Sequence, residues 1–279
     1  MEDLDTSRVK PGMRDACLRD LEWLGLDWDG AVEQQSDYQD EFYEVALQLQ
    51  CEGLAYPCVC TRREVQAAQS APHAEDAESI YPGTCRGKFT TLEEARLSSG
   101  REPALRLHVA PGDLSITDQL SGNLTQDVRL EVGDFPLTSR DGQIAYQLSV
   151  VLDDARQGIT EVLRGDDLLS STPRQVLLQN IFGFPTPTWI HVPLVLDAQG
   201  ERLAKRHDAL SIAAVRSAGI SPEAFATWVA QSAGMASAGL QAASEWTKFY
   251  NLASLPLAPI RLPPEPLSGL QNPLGKASQ

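Results

Sequence analysis

The sequence lacks the long apolar runs and the dense cysteine content that mark several large classes of protein. No stretch of its 279 residues approaches the ~18 consecutive apolar residues of a membrane span, so we expect no membrane partner. The first residues are acidic and carry no apolar stretch, so we expect no signal peptide there. The five cysteines are unevenly spaced, which favours the reducing cytoplasm over a disulfide framework.

Basic residues are also scarce, since 23 Lys and Arg oppose 38 Asp and Glu and the formal net charge is -15. Phosphate binding needs local cations, so this balance argues moderately against nucleic acid, and we expect no DNA partner. An acidic protein can still carry a basic stripe, or the same residues can be scattered solvated charges. The residues that would have to form the stripe are Arg62, Arg63, Arg86, Lys88, Arg202, Lys205 and Arg206.

The apolar spacing predicts helices and strands along most of the chain. Helices are expected over 10–25, from a capping box at Ser36 and Gln39 to Gly53, and over 145–154, 172–182, 208–216 and 221–233. Strands are expected over 105–109, 159–163 and 191–196, with a hairpin of 113–120 and 124–130 around Gly122-Asn123. From residue 143 helices alternate with short apolar strands, which predicts an α/β fold with a parallel sheet.

Changes in residue composition along the chain suggest five regions. Residues 54–103 contain three of the cysteines and a capping signal at Thr61 and Glu64, and we interpret them as an insertion. The last stretch is rich in proline and poor in charge. The expected boundaries are 1–53 and 104–200 for the two halves of a catalytic domain, 54–103 for the insertion, 201–251 for a helical region, and 252–279 for a Pro-rich tail.

The most specific late motif spans Glu201–Asp208 and follows an apolar strand and a turn at Asp197–Gly200. A lysine on a flexible loop can follow the charge that develops on phosphate groups during a reaction. The alternative is an ordinary basic surface loop. The residues proposed for the loop are Arg202, Leu203, Ala204, Lys205 and Arg206.

Two further segments carry polar residues suited to an amino-acid substrate. Tyr146 opens the segment 145–154, and Arg164 lies in the segment 160–168. An arginine fork can bind a carboxylate through two hydrogen bonds. The alternatives are that Tyr146 packs on the core and that Arg164 forms a salt bridge with Asp153 or Asp154.

Cys58 and Cys60 form a C-x-C pair that a polar loop separates from Tyr81 and Cys85. Thiolates are preferred zinc ligands, and a structural zinc site needs four donors. His73 or water is an alternative to Tyr81 as the fourth donor, and a reduced cysteine cluster without metal is an alternative to the whole site. We expect Cys17 and Cys51 to be core residues.

These motifs, in this order, resemble those of glutamate-activating class I aminoacyl-tRNA synthetases. The start, Met1-Glu2-Asp3-Leu4-Asp5-Thr6-Ser7-Arg8, resembles their R-x-E-D-x-D-x-x-R segment. Residues 145–168 resemble A-Y-x-L-A-x-V-x-D-D … G-x-T-x-x-x-R-G-x-D-L, and 202–206 resemble a variant K-M-S-K-S loop. The cysteine spacing is similar to the C-x-C … Y-x-x-x-C zinc site of the shorter branch, the glutamyl-queuosine tRNA(Asp) synthetases.

The resemblance implies roles for individual residues. Glu2 would contact the α-ammonium group of glutamate, while Tyr146 and Arg164 would bind its side-chain carboxylate. Lys205 matches the important second lysine of the signature loop, and it is the residue expected to act in catalysis. The implied zinc ligands are Cys58, Cys60, Tyr81 and Cys85.

The resemblance also implies a fold and a reaction. The fold would be a Rossmann-like parallel sheet without its first strand, with a zinc-type insertion and a small C-terminal helical region. The enzyme would use ATP with Mg²⁺ to form glutamyl-adenylate, and would then transfer glutamate to queuosine in the anticodon of tRNA(Asp). We expect a monomer. The alternatives are a truncated glutamyl-tRNA synthetase that charges the tRNA 3′ end and a non-catalytic, zinc-stabilised tRNA-binding protein.

In the resembled enzymes a strand and an H-I-G-H-type ATP-binding motif precede the segment that matches Met1–Arg8. We therefore expect Met1 to be an internal methionine of a natural protein about forty residues longer. If the chain is instead complete, we expect weak or no activation of glutamate and marginal folding.

Overall fold

A computed structural model describes residues 1–5, 9–67, 80–202, 211–235, 239 and 241–262 of the chain. The chain divides into two compact units. The first comprises Met1–Arg8, Val32–Val162 and Leu168–Trp189, and the second comprises Val9–Ala31, Leu163–Asp167 and Ile190–Gln279. Within the described ranges, no helix combines the length and apolar character needed to cross a membrane.

The described residues form both helices and strands. The helices are α1 (Met13–Trp23), α2 (Gln39–Cys51), α3 (Arg62–Ala67), α4 (Leu92–Ser99), α5 (Val128–Glu131), α6 (Tyr146–Gln157), α7 (Thr172–Phe182), α8 (Ile212–Ser217), α9 (Pro222–Ser232) and α10 (Ala243–Trp246). The strands are β1 (Ala55–Cys58), β2 (Ala104–Leu107), β3 (Asp113–Asp118), β4 (Gly122–Asp127), β5 (Glu161–Gly165), β6 (Thr188–Val192), β7 (Val195–Leu196) and β8 (Ile260–Arg261). Short 3-10 helices cover Gln35–Tyr38, Asp166–Ser171, Thr247–Phe249 and Leu252–Ser254.

The strands form one four-stranded sheet and two strand pairs. The larger sheet has the order β4-β3-β6-β5, in which β3 is antiparallel to β4 and parallel to β6. The α/β class is confirmed, but the sheet is mixed rather than parallel. The sheet is mixed because it includes the antiparallel hairpin β3–β4. Strand β3 of this hairpin pairs with an edge of β6 that would otherwise be exposed. Strands β1 and β2 form an antiparallel pair, and β7 and β8 form a parallel pair.

The core of the first unit is built from regularly spaced apolar residues of α2, α6 and β2. Phe42 and Leu49 lie on one face of α2, Leu148 lies on α6, and Leu105 and Leu107 alternate along β2, and all five are at most 2% exposed. Burying each such side chain contributes about 1.5–3 kcal/mol relative to leaving it in water. This cluster fixes α2 and α6, and the start of α6 forms part of the pocket described below.

The helix-capping predictions had mixed outcomes. The box at Thr61 and Glu64 is confirmed, because each residue caps the other through its side chain at 2.7–3.1 Å. The backbone N–H of Thr61, together with Arg101, holds the pKa of Glu64 down at about 2. The box at Ser36 and Gln39 is wrong. Ser36 lies in a 3-10 helix, where its N–H and hydroxyl both donate to the carboxylate of Asp3.

Three further expectations need correction. The β3–β4 hairpin exists, but Gly122 and Asn123 belong to β4, where they pair with Asp118 and Thr117. The loop therefore covers residues 119–121. The strand expected over 191–196 is split, because β6 ends at Val192 and β7 begins at Val195. Cys17 and Cys51, which we expected to be core residues, are both exposed.

Candidate functional site

A cleft of about 480 Å³ in the first unit lies between the start of the chain, a turn at residues 139–143 and the start of α6. Among its described lining residues, three are carboxylates and none is basic. Such a cleft favours a cation, including the ammonium group of an amino acid. The lining of this acidic pocket comprises Glu2, Leu4, Asp5, Gln35, Ser139, Asp141, Gln143, Ile144, Tyr146 and Ser149.

Glu2 is held at the acidic pocket by its two neighbours. The amino group of Met1 donates to the carbonyl at residue 33 at 2.8 Å, and its carbonyl accepts the N–H of residue 35 at 2.9 Å. The Asp3 carboxylate accepts the N–H and the hydroxyl of Ser36 at 2.8 and 2.7 Å. The backbone on both sides of Glu2 is therefore anchored, and its exposed side chain contributes to the pocket wall.

A cluster around Arg156 supports this anchor. Gln35 donates its amide N–H to Asp153 at 2.7 Å, and Arg156 pairs with Asp153 at 2.8 Å and with Glu33 at 2.6 Å. The guanidinium carbon of Arg156 lies 3.5 Å from the centre of the Tyr38 ring. Desolvation opposes the charge of Arg156, but the bonds to Asp153 and Glu33 outweigh it and raise the Arg156 pKa. Asp153 is thus engaged within its own unit.

Tyr146 and Glu2, two of the residues proposed to bind substrate, line the same pocket. Tyr146 is the first residue of α6 and is 37% exposed, so its ring is not a core residue. The residue before it, Ala145, donates its backbone N–H to Leu137 at 2.8 Å, which fixes where the helix begins.

Arg164 lies on β5 in the second unit. Its Nε–H donates at 3.0 Å to Nε2 of His191, which is 1% exposed on β6. An acceptor nitrogen carries no proton, so His191 is in the form protonated on Nδ1, an assignment inferred from the bond. His191 therefore orients the arginine proposed to read a carboxylate.

The turn that leads into the signature loop is well organised. Oδ1 of Asp197 accepts the N–H groups of Gln199 and Glu201 at 2.9 and 2.8 Å, and the turn predicted at Asp197–Gly200 is confirmed. Arg202 then pairs with Asp167 at 3.0 Å within the second unit. The other residues of the predicted loop lie outside the described residues: Leu203, Ala204, Lys205 and Arg206.

The three cysteines of the insertion converge on the hydroxyl of Tyr81, and we call Cys58, Cys60, Tyr81 and Cys85 the cysteine site. The three sulfur atoms lie within 4.8 Å of one another. The Cys58 thiol donates to the Tyr81 oxygen at 3.4 Å, Cys60 Sγ lies 3.6 Å from it, and the Cys85 backbone N–H donates to it at 2.8 Å. His73, the other candidate donor, lies outside the described residues.

This donor set fits a metal ion. Zinc–sulfur bonds of about 2.3 Å in a tetrahedron place two sulfurs about 3.8 Å apart. Cys60 Sγ and Cys85 Sγ are 3.4 Å apart, so small movements would reach that spacing. Three cysteine ligands are therefore placed to hold a metal ion, with a phenol oxygen beside them as a fourth donor.

The pKa values in the cysteine site diverge. Burial raises the pKa of Cys60 to about 12. Burial also raises the pKa of Tyr81, and its contacts with the Cys58 and Cys60 thiols act in the same direction. Burial opposes ionisation of Cys85 too, but hydrogen bonds from the Val59 backbone, Tyr81 and the other two thiols outweigh it and lower the Cys85 pKa. Cys85 is thus the thiol most ready to become a thiolate ligand.

A close backbone contact positions Tyr81. Tyr81 forms a bridge with Gly133, which has φ +77°, and a Cβ at Gly133 would lie 2.8 Å from the Tyr81 carbonyl oxygen and 3.2 Å from its nitrogen. Arg106 covers the other side, with its guanidinium carbon 4.0 Å from the centre of the Tyr81 ring. Only glycine allows both the backbone conformation and the approach.

Behind the cysteine site, one buried carboxylate joins four parts of the chain. Asp134 accepts hydrogen bonds from the Tyr56 hydroxyl, from Arg86 and from the Val109 N–H, and Arg129 lies 3.4 Å away. Burial opposes its ionisation, but the hydrogen bonds from Arg86, Tyr56 and Val109 outweigh the effect of burial and lower the Asp134 pKa. Arg86, a candidate for a basic stripe, is therefore committed to an internal ion pair.

Sequence reasoning missed several of these residues. Asp5 and Asp141 were not expected in the pocket, and no motif singled out Asp134. The one usable signal was Gly133, because glycine is the residue that adopts positive φ most readily. The other partners lie too far apart in the chain for any periodicity to reveal them.

Comparison with known proteins gives a family. Residues 1–251 match the family described as "tRNA synthetases class I (E and Q), catalytic domain". The chain is 39% identical over 282 residues to the glutamyl-Q tRNA(Asp) synthetase of Symbiobacterium thermophilum, covering 98% of this chain and 87% of that protein. It is 48% identical over 217 residues to the protein of the same name from Geobacter sulfurreducens, covering 77% and 67%.

A solved structure supports the fold. The crystal structure of a glutamate tRNA ligase from Elizabethkingia meningosepticum, in complex with its amino acid, superposes with a TM-score of 0.76 at 23% identity. The match covers 97% of this chain and 61% of that one, so this chain spans less than two thirds of that enzyme.

Proposed function

The chain belongs to the catalytic-domain family of class I tRNA synthetases for glutamate and glutamine, a family of ligase-type enzymes, and from that premise we propose that it attaches glutamate to tRNA. More specifically, we propose that it forms glutamyl-adenylate from glutamate and ATP with Mg²⁺, and transfers the glutamyl group to queuosine in the anticodon of tRNA(Asp). The names of the curated relatives support this acceptor.

The observation that carries the proposal is the acidic pocket shared by Glu2 and Tyr146. Its carboxylates suit the α-ammonium group of glutamate, which Glu2 would bind through charge-assisted hydrogen bonds. Tyr146 would donate its hydroxyl to the substrate, and Arg164, oriented by His191, would bind a carboxylate through its guanidinium fork.

The proposed chemistry needs no nucleophile from the protein. The α-carboxylate of glutamate attacks the α-phosphorus of ATP, a new C–O–P bond forms, and pyrophosphate leaves. In the second step a hydroxyl of the acceptor attacks the activated carbonyl, and AMP leaves. Lys205 and Arg202 would stabilise the charge on the phosphates, so catalysis rests on positioning and electrostatic stabilisation.

The cysteine site would hold a structural zinc ion through Cys58, Cys60 and Cys85, with Tyr81 as the fourth donor. The mutual proximity of the three sulfurs, two of which contact the Tyr81 oxygen, supports this assignment. Zinc bound there would stabilise the insertion and would take no part in the reaction steps.

The test is glutamylation of purified tRNA with radiolabelled glutamate and ATP. We expect labelling of queuosine-containing tRNA(Asp), including a form that lacks its 3′-terminal adenosine, and no labelling of tRNA(Asp) without queuosine. Labelling that requires the 3′-terminal adenosine would instead establish charging of the acceptor end. Absence of both labelling and ATP–pyrophosphate exchange in the natural protein would refute the proposed activity.

A second experiment tests the proposed loop cation. Replacing Lys205 with methionine should lower kcat for pyrophosphate exchange by about 100-fold, because the interaction forms in the transition state. The KM for glutamate should change little. A variant with unchanged kcat would contradict the role of Lys205.

A further inference from the structure

The turn that forms one wall of the acidic pocket has two faces. Ser139, Asp141 and Gln143 line the pocket. The residue between the first two, Arg140, donates from Nη2 to the backbone carbonyl of Val59 at 2.8 Å. The alternation places the pocket on one side of the turn and the cysteine-bearing segment on the other.

The turn is stiff enough to move as a unit. Ser139 donates its N–H to the Gln143 carbonyl at 2.7 Å, and the Gln143 N–H donates to the Ser139 hydroxyl oxygen at 3.1 Å. A bridge between Thr138 and Ile144 closes its base. A displacement of Arg140 would therefore be passed to the residues that face the pocket.

Val59 is equally well fixed on the other side. It lies between Cys58 and Cys60 in the chain, and its backbone N–H bonds to Cys85 while its carbonyl accepts from Arg140. The backbone of Val59 thus links Cys85 on one side to Arg140 on the other. Arg101 also points at the Val59 carbonyl, at 3.5 Å, but Arg101 is outside the turn and pairs with Glu64.

We propose that Arg140 is a positioning residue that couples the cysteine site to the acidic pocket. A metal ion on the three thiols fixes the Val59 carbonyl, and Arg140 carries that constraint to the turn that forms the pocket wall. The identity of glutamate as the pocket's occupant rests on the proposed function, whereas the mechanical coupling does not.

The test is hydrogen–deuterium exchange on the full chain with and without added Zn²⁺. In the unaltered protein we expect Zn²⁺ to slow exchange near Cys85 and also in the turn at 139–143. In Arg140→Met, Zn²⁺ should still slow exchange near Cys85 but should no longer protect the turn. Exchange in α2, which lies in the same unit, reports whether each variant is folded.

A matched control uses the other arginine at the same carbonyl. Arg101→Met removes a partner of Val59 without touching the turn, so its exchange pattern should match that of the unaltered protein. If Arg140→Met does not fold, Arg140→Lys keeps the charge but loses the guanidinium fork, and its turn protection should be reduced. Equal protection of the turn in all variants, or failure of Zn²⁺ to bind, overturns the coupling.

Glutamate affinity, measured by calorimetry on the same samples, separates this inference from the proposed function. We expect Zn²⁺ to strengthen glutamate binding in the unaltered protein, and Arg140→Met to weaken it about tenfold, the effect of one hydrogen bond to a charged group. Absence of glutamate binding together with the expected exchange pattern would refute the proposed function and leave the coupling intact.

Discussion

Replacing Gly133 with alanine should destabilise the fold and weaken the cysteine site by displacing the backbone of Tyr81. Gly133 has φ +77°, a conformation that costs a residue with a Cβ about 1–2 kcal/mol. The new Cβ would also lie 2.8 Å from the Tyr81 carbonyl oxygen, and the obstructing atom is backbone, which cannot rotate away. Relieving such overpacking typically costs a further 1–3 kcal/mol or so, for a total of about 2–5 kcal/mol.

Gly53→Ala provides the matched control. Gly53 has φ +74°, but a Cβ there would meet nothing within 4 Å, so this variant carries only the conformational cost. Urea unfolding of both variants gives the two losses in free energy, and their difference isolates the contact with Tyr81. We expect a difference of about 1–3 kcal/mol.

The second measurement is Zn²⁺ affinity, by competition with a chromogenic chelator. Moving the Tyr81 backbone displaces its hydroxyl from the thiols, so Gly133→Ala should bind Zn²⁺ at least about tenfold more weakly than Gly53→Ala, in line with the usual effect of disturbing groups that orient metal ligands. Equal stability and equal affinity in the two variants would refute the argument that Gly133 places Tyr81.

Three further predictions concern charge and exposure. Asp134→Asn should lower the free energy of unfolding at pH 7 by about 3 kcal/mol, because Arg86 loses its buried partner. Since the folded pKa of Asp134 is depressed, its contribution is present above the ordinary carboxyl pKa of about 3.9 and is lost as the pH falls below it; urea titrations near pH 7 and pH 3 should show a pH slope that the variant lacks. Glu2→Gln should weaken glutamate binding about tenfold by calorimetry, whereas the exposed Glu44→Gln on α2 should not, and equal affinities would remove Glu2 from the site. N-ethylmaleimide should rapidly modify the exposed Cys17 and Cys51 in the native zinc-loaded protein, and mass spectra showing equally rapid labelling of the buried Cys58 and Cys85 would contradict their burial.

The sequence was most informative where local spacing carries the signal. Helix α7 occupies the predicted residues 172–182, and α9, expected over 221–233, begins after Ser221, whose side chain accepts the N–H of Ala224. The cysteine spacing predicted a cluster that the structure confirms, and the C-x-C pair by itself keeps two of its thiols close together.

The missed features depend on contacts between distant positions. Tyr56 and Asp134 are 78 residues apart, and no local pattern can reveal that they bond. The box at Ser36 failed for the same reason, since Asp3, 33 residues earlier, takes the hydrogen bonds that the helix cap would have used. Arg140 escaped notice because its partner is a backbone carbonyl, which leaves no trace in the side-chain sequence.

The buried carboxylate of Asp134 has an evolutionary consequence. It ties Tyr56 and Arg86, which border Cys58 and Cys85, to the rest of the first unit without involving any thiol. The fold of this segment therefore does not depend on metal alone. We therefore expect a relative that lacks one or more of the cysteines to keep the segment attached and folded through Asp134 and Arg86.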